Sequence, residues 1–243
     1  MIVFDKSLKG VIFLEKELKS GYFVTGIGTD IGKTYISALL YKALKERENA
    51  GYYKPIQSGC FYKADKIIAP DVKFVCDFSG VEYDKDMCTV TLMPEVSPHL
   101  AAEMENKEID INKIYEKIKI KKKEYSTVIV EGAGGVYVPV IRNKVYMFDI
   151  MKELKLPIIL VSSTKVGGIN HTMLTIEFLK TKGIEIQGIV FNGYTGEKYE
   201  DDNISVVLED SEIKNYITVK KGQKSLEKND LINLLGEKKN ENK

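Results

Sequence analysis

Short apolar runs recur along the chain at Tyr22–Thr25, Gly51–Pro55, Thr127–Val130, Ile158–Ser162 and Gly188–Asn192. Helical patterns separate several of them; after the first run, Tyr35, Ile36, Ala38, Leu39, Leu40, Ala43 and Leu44 repeat with a period near 3.6. Strands alternating with helices predict an α/β fold, a doubly wound and mainly parallel sheet with helices on both faces. Ile158-Ile159-Leu160-Val161 is apolar without a break, as a central strand covered on both sides should be. In such sheets the chemistry collects at the carboxyl ends of the strands, so the polar residues after each run are the place to look.

After the first run comes Gly26-Ile27-Gly28-Thr29-Asp30-Ile31-Gly32-Lys33-Thr34, set directly before the helical pattern. A glycine-rich turn there aims main-chain N–H groups into a concavity at the positive end of a helix, which suits the phosphates of a nucleotide. Lys33 would reach the β- and γ-phosphates and Thr34 would hold Mg2+. The usual spacing asks for glycine at position 27, where Ile27 stands, so this is a variant P-loop. The same residues satisfy a loose dinucleotide-binding pattern, but that fold wants an acidic residue at the end of a second strand about twenty residues on. Glu46 and Glu48 fall instead in the polar tail of the helix. A plain glycine-rich turn with a surface lysine is the third reading.

The other runs also end in chemistry-bearing residues. Lys54-Pro55-Ile56-Gln57-Ser58-Gly59 puts a lysine and a hydroxyl beside the phosphate loop, and Glu131-Gly132-Ala133-Gly134-Gly135 puts a carboxylate before pliant backbone. Thr164 to His171 leads into a helix, and the last run closes on Asn192-Gly193.

Composition narrows the setting. With 243 residues, 44% hydrophobic, the chain can bury a sizeable core within one domain, placed at 21–236. Thirty-six basic and 35 acidic residues leave a net charge of +1, which offers no global field for nucleic acid or an anionic membrane. No apolar run approaches the roughly 20 residues needed to cross a bilayer. Cys60, Cys76 and Cys88 have neither metal-ligand spacing nor an even count, which points to a reducing cytoplasm. Residues 1–20 read as an N-terminal extension of uncertain structure rather than a signal peptide, and 237–243 as a disordered tail.

These motifs, with Ser97-Pro98-His99 and Gly168-Ile169-Asn170-His171, resemble the dethiobiotin synthetase family, ATP-dependent ligases with a P-loop NTPase fold; the match spans most of residues 21–193. The resemblance implies a ligase that closes the ureido ring of dethiobiotin from 7,8-diaminononanoate, CO2 and MgATP. It passes through a carbamate and a carbamic-phosphoric anhydride, in a homodimer with substrate at the interface. It implies catalytic roles for Lys33, Lys54, Thr29 and Ser58, the two hydroxyls holding the carbamate. It assigns ATP to Gly28, Asp30, Ile31, Gly32, Lys33, Thr34, Tyr35, Glu131 and Asn192, and Mg2+ to Thr34, Asp71 and Glu131. The diamine's distant carboxylate falls to Gly167, Gly168, Ile169 and Asn170, with Ser58 also touching substrate. Asn192 matches an adenine-recognising amide, yet Tyr194 to Lys221 is acidic and lacks the family's Ile-Pro segment. His99 and His171 are expected to be structural.

Two rival classes share parts of this pattern. A cobyrinate-type amide ligase usually carries a further glutaminase domain, for which there is no room after residue 193. A partition-type ATPase switch needs a signature lysine where Gly28 stands.

Overall fold

The structure is a computed structural model that describes residues 21–236. The expectations for 1–20 and 237–243 lie outside the described residues. In chain order the strands are β1 (Gly21–Gly26), β2 (Ala50–Gln57), β3 (Phe61–Lys63), β4 (Lys66–Ile68), β5 (Cys88–Thr91), β6 (Thr127–Glu131), β7 (Pro139–Ile141), β8 (Val145–Tyr146), β9 (Ile158–Ser163), β10 (Ile186–Tyr194) and β11 (Tyr216–Lys220). The helices are α1 (Lys33–Lys45), α2 (Pro70–Ser79), α3 (Pro98–Met104), α4 (Ile111–Glu124), α5 (Met147–Leu154), α6 (Gly168–Thr181), α7 (Lys198–Ser211) and α8 (Lys228–Leu235).

Seven strands form one sheet in the order β11-β10-β9-β1-β6-β2-β5, every neighbouring pair parallel. Two short antiparallel hairpins, β3-β4 and β7-β8, stand outside it. Alternation along each strand divides the core in two. Phe23, Tyr53, Val128, Ile158 and Leu160 face one layer, with residues of α3 to α7. Tyr22, Val24, Tyr52, Ile129, Ile159 and Val161 face the other, with α1, α2 and α8. Burial on both faces explains why β1, β6 and β9 read as unbroken apolar runs.

All five expected strands are present, each within two residues of its expected limits. The hydrophobic pattern did not disclose the two edge strands, β5 and β11. Each is short and carries polar residues at alternate positions, as an edge with one wet side permits.

Candidate active site

β1 ends at the sheet centre and its chain turns through the phosphate loop into α1. Asp30 has φ 58° and Gly32 has φ 97°, the left-handed region that a tight loop needs. A side chain at position 32 is barred twice, since a Cβ there would stand 2.1 Å from Asn192 Nδ2. Lys33 folds back over the loop, its ammonium donating to the Gly28 carbonyl at 2.8 Å. Burial, then the neighbouring charge of Lys54, lowers its pKa to about 8. Ile27, in the place of the usual glycine, packs against the core and lines a cleft of about 370 Å3 with Gly135, Tyr137, His171 and Phe178.

Tyr52 and Lys54 are two apart on β2 and so share a face, the one covered by α1, and Glu131 reaches it from the adjacent β6. Their side chains meet there. Glu131, with no exposed surface, accepts from Thr34 Oγ1 at 2.8 Å and Lys54 Nζ at 2.7 Å on one oxygen, and from the Tyr52 hydroxyl at 2.9 Å on the other. Lys54 also donates to the Gly132 carbonyl at 2.9 Å and pairs with Asp71 Oδ2 at 2.6 Å. Asp71 is carried in by the first turn of α2, where its own N–H donates to Gln57 Oε1 at 3.3 Å.

Burial on its own would lower Lys54, but the Glu131 and Asp71 carboxylates outweigh it and hold the ammonium firmly charged. Burial likewise works against the Asp71 carboxylate, and Lys54, Thr34 and Gln57 reverse the effect, leaving its pKa lowered. Burial and then the adjacent Glu131 charge push the Tyr52 hydroxyl well up, so it stays a donor.

The expected residues do not all gather in one place. Lys33, Thr34, Lys54, Asp71 and Glu131 converge. Ser58 sits just beyond β2, its hydroxyl buried and without a partner in the structure; Thr29 and Asp30 are exposed at the loop's tip. Gly167, Gly168, Ile169 and Asn170 form the start of α6, with Gly167 in the left-handed region and Asn170 exposed. Asn192 lies against the phosphate loop, donating to the Ile31 carbonyl at 2.9 Å. The Tyr35 hydroxyl donates to the Gln223 carbonyl, which ties α1 to the segment after β11. His99 is half-buried on α3 with Nδ1 unpartnered, and His171 is exposed on α6. Tyr52 and Gln57 had no assigned role; the signal available for Tyr52 was its place two residues before Lys54 on a strand.

A family model described as an AAA domain matches residues 20–236. The ATP-dependent dethiobiotin synthetase of Fusobacterium nucleatum subsp. nucleatum is 56% identical over 205 residues, covering 84% of this chain and 93% of that protein. The chain belongs to the dethiobiotin synthetase family. A Clostridium perfringens dethiobiotin synthetase is 37% identical over 222 residues, covering 89% of this chain and 97% of that one. Among solved structures, a plasmid partition protein of Borrelia burgdorferi bound to AMPPNP aligns with TM-score 0.52 at 7% identity over 89% of each chain. The Aquifex aeolicus MinC:MinD complex aligns at 0.50 with 15% identity, covering 82% and 81%. At such identities only the fold is shared, a parallel sheet with a P-loop, whereas the curated dethiobiotin synthetases match along most of their length. Among the described residues no helix is long and apolar enough to cross a membrane.

Proposed function

We propose that this protein is an ATP-dependent dethiobiotin synthetase that joins CO2 to 7,8-diaminononanoate with release of ADP and phosphate. The observation that carries the reading is the buried Lys54 ammonium between Asp71 and Glu131, beside a P-loop whose Thr34 bonds the same glutamate. In the reaction one amine adds to CO2 and loses a proton to give a carbamate. A carbamate oxygen then attacks the γ-phosphorus and ADP departs. The second amine attacks the carbamoyl carbon, phosphate leaves, and the ureido ring closes.

Several anionic groups crowd together in this sequence, and the residues present can offset their repulsion. Main-chain amides of Gly28 and 30–34 and the ammonium of Lys33 hold the phosphates. Lys54, released from its carboxylates, would bind the carbamate and the γ-phosphoryl oxygens, with Thr29 and the unpartnered Ser58 hydroxyl as further donors. Thr34, Asp71 and Glu131 are hard oxygen ligands already gathered around a cation, and they suit Mg2+. Among the described residues no three His, Cys, Asp or Glu side chains are placed to hold a metal by themselves. A magnesium site completed by phosphates and water needs no more than one or two carboxylates. When bound, the ion would neutralise phosphate charge as it builds.

The start of α6, Gly167 to Asn170, presents main-chain amides suited to the diamine's carboxylate. In this reading it serves the neighbouring subunit of a homodimer. The apolar cleft between Ile27, Tyr137 and Phe178 suits the substrate's methylene chain. A cytoplasmic setting agrees with three buried cysteines that form no disulfide. The deciding experiment is phosphate release from MgATP with and without 7,8-diaminononanoate and bicarbonate, with mass analysis of the product. Dethiobiotin formed only with all components supports the reading; hydrolysis indifferent to the diamine defeats it.

A further inference from the structure

A second buried carboxylate lies away from the phosphate loop. Glu200, in the first turn of α7, is 1% exposed, and its Oε2 accepts from the N–H groups of Thr195 at 2.8 Å, Gly196 at 2.9 Å and Glu197 at 3.1 Å, and from the Thr195 hydroxyl at 2.8 Å. That oxygen caps its own helix, as a glutamate three residues after the cap commonly does. Its other oxygen does something a cap does not need: it accepts from the hydroxyl of Thr164, which is likewise 1% exposed and lies on the loop between β9 and α6. From α7, Asn203 Nδ2 donates to the Thr164 main-chain carbonyl at 2.7 Å. Thr164 is thus gripped from both sides by one helix.

Immediately beyond Thr164 the chain makes a tight turn, Gly168 N–H donating to the Lys165 carbonyl at 2.8 Å, and α6 begins. Gly168 lies close against the Ser163 carbonyl, where an added Cβ would stand only 2.3 Å away, so only glycine fits at this start of α6. The grip on Thr164 thus anchors the chain three residues before Gly167, the cap of α6. α6 and α7 also pack against each other.

We propose that Glu200 is a positioning residue which, through Thr164 and with Asn203, holds the start of α6 in register to receive the substrate's carboxylate. The inference rests on the dethiobiotin synthetase reading for the identity of that substrate, but the mechanical link does not. A charged acceptor suits a strut of this kind, since hydrogen bonds to an ionised group are about twice as strong as neutral ones.

Thr164→Val removes the hydroxyl bond and leaves every contact of Oε2 intact; Glu200→Ala removes both halves. In the full-length protein each is expected to raise KM for 7,8-diaminononanoate by about tenfold, the scale of one hydrogen bond to a charged group. KM for MgATP should stay within about twofold. Glu200→Gln, whose oxygen can still accept from 195–197 while its amide donates to Thr164, is expected to show a smaller rise than Glu200→Ala, since it keeps both contacts as weaker, neutral bonds. Amide hydrogen exchange at 165–170 should quicken in Thr164→Val without any substrate present. Unchanged exchange at 165–170 in Thr164→Val, or equal rises in both KM values, would overturn the proposal. A wild-type protein that makes no dethiobiotin would defeat the substrate reading alone, and the exchange measurement would still decide the strut.

Discussion

Lys54 is 2% exposed and neutralises two carboxylates at once, so truncating it does more than remove the charge proposed for catalysis. Lys54→Ala is expected to lower turnover a few hundredfold, the effect of deleting one preorganised charge at the reacting centre. It should also cost about 3–5 kcal/mol in stability, because Glu131 and Asp71 are left facing each other. Urea denaturation of the ligand-free variant checks the second effect. Lys33 offers a different reading of charge. With its pKa lowered to about 8 and an ordinary lysine value near 10.5, it is partly deprotonated in the empty protein at pH 8–9. A bound phosphate anion draws the value back up, so ATP binding should take up protons in that window. Calorimetry at pH 8.5 in buffers of different ionisation enthalpy measures this directly. The same depressed value means that stability of the empty protein rises with pH between about 8 and 10.5, since the unfolded state binds the extra proton there.

At the level of elements, the phosphate loop depends on its neighbour strand. Gly32→Ala would combine a left-handed residue, about 1–2 kcal/mol for a side chain, with a collision against Asn192 at the end of β10. Weakened binding of a nonhydrolysable ATP analogue, with a smaller change in melting temperature, is the expected outcome of calorimetry and thermal unfolding. The strands that position the site were legible because burial on both faces leaves continuous apolar runs, and Lys54 and Glu131 were legible as the polar residues that end two of them. Cys88–Thr91 and Tyr216–Lys220 were not, because edge pairing leaves half of each strand polar. Tyr52 was hidden for a related reason: an aromatic residue in a buried strand looks like core until its hydroxyl is seen against Glu131. Asp71 came only through family resemblance. Its approach depends on how α2 returns over β2, which no local pattern encodes.

For the whole molecule, a sheet shared with a partition protein at 7% identity shows that the fold does not choose the reaction. Under the proposed function the choice lies in the Lys54 cluster and in the exposed region around the apolar cleft, where Tyr137 and Leu174 stand 64% and 63% exposed. If two subunits share each site, Lys54→Ala chains and Gly168→Val chains, whose added side chain collides with the Ser163 carbonyl and displaces the start of α6, should each be nearly inactive alone and complement when mixed. One sound site survives in every mixed dimer, so about a quarter of full activity is expected of an equal mixture with random exchange. No recovery after confirmed exchange would show that each chain is complete by itself. Lys54 pairs with Asp71 and Glu131 and Lys33 lies close by, so the cluster is electrically balanced without a ligand: under the proposed function Lys54 would be a built-in stand-in for the metal, yielding its place when a nucleotide arrives with the real one. On that proposal, protein deprived of magnesium would stay folded and idle, and adding the ion back would restart it without refolding.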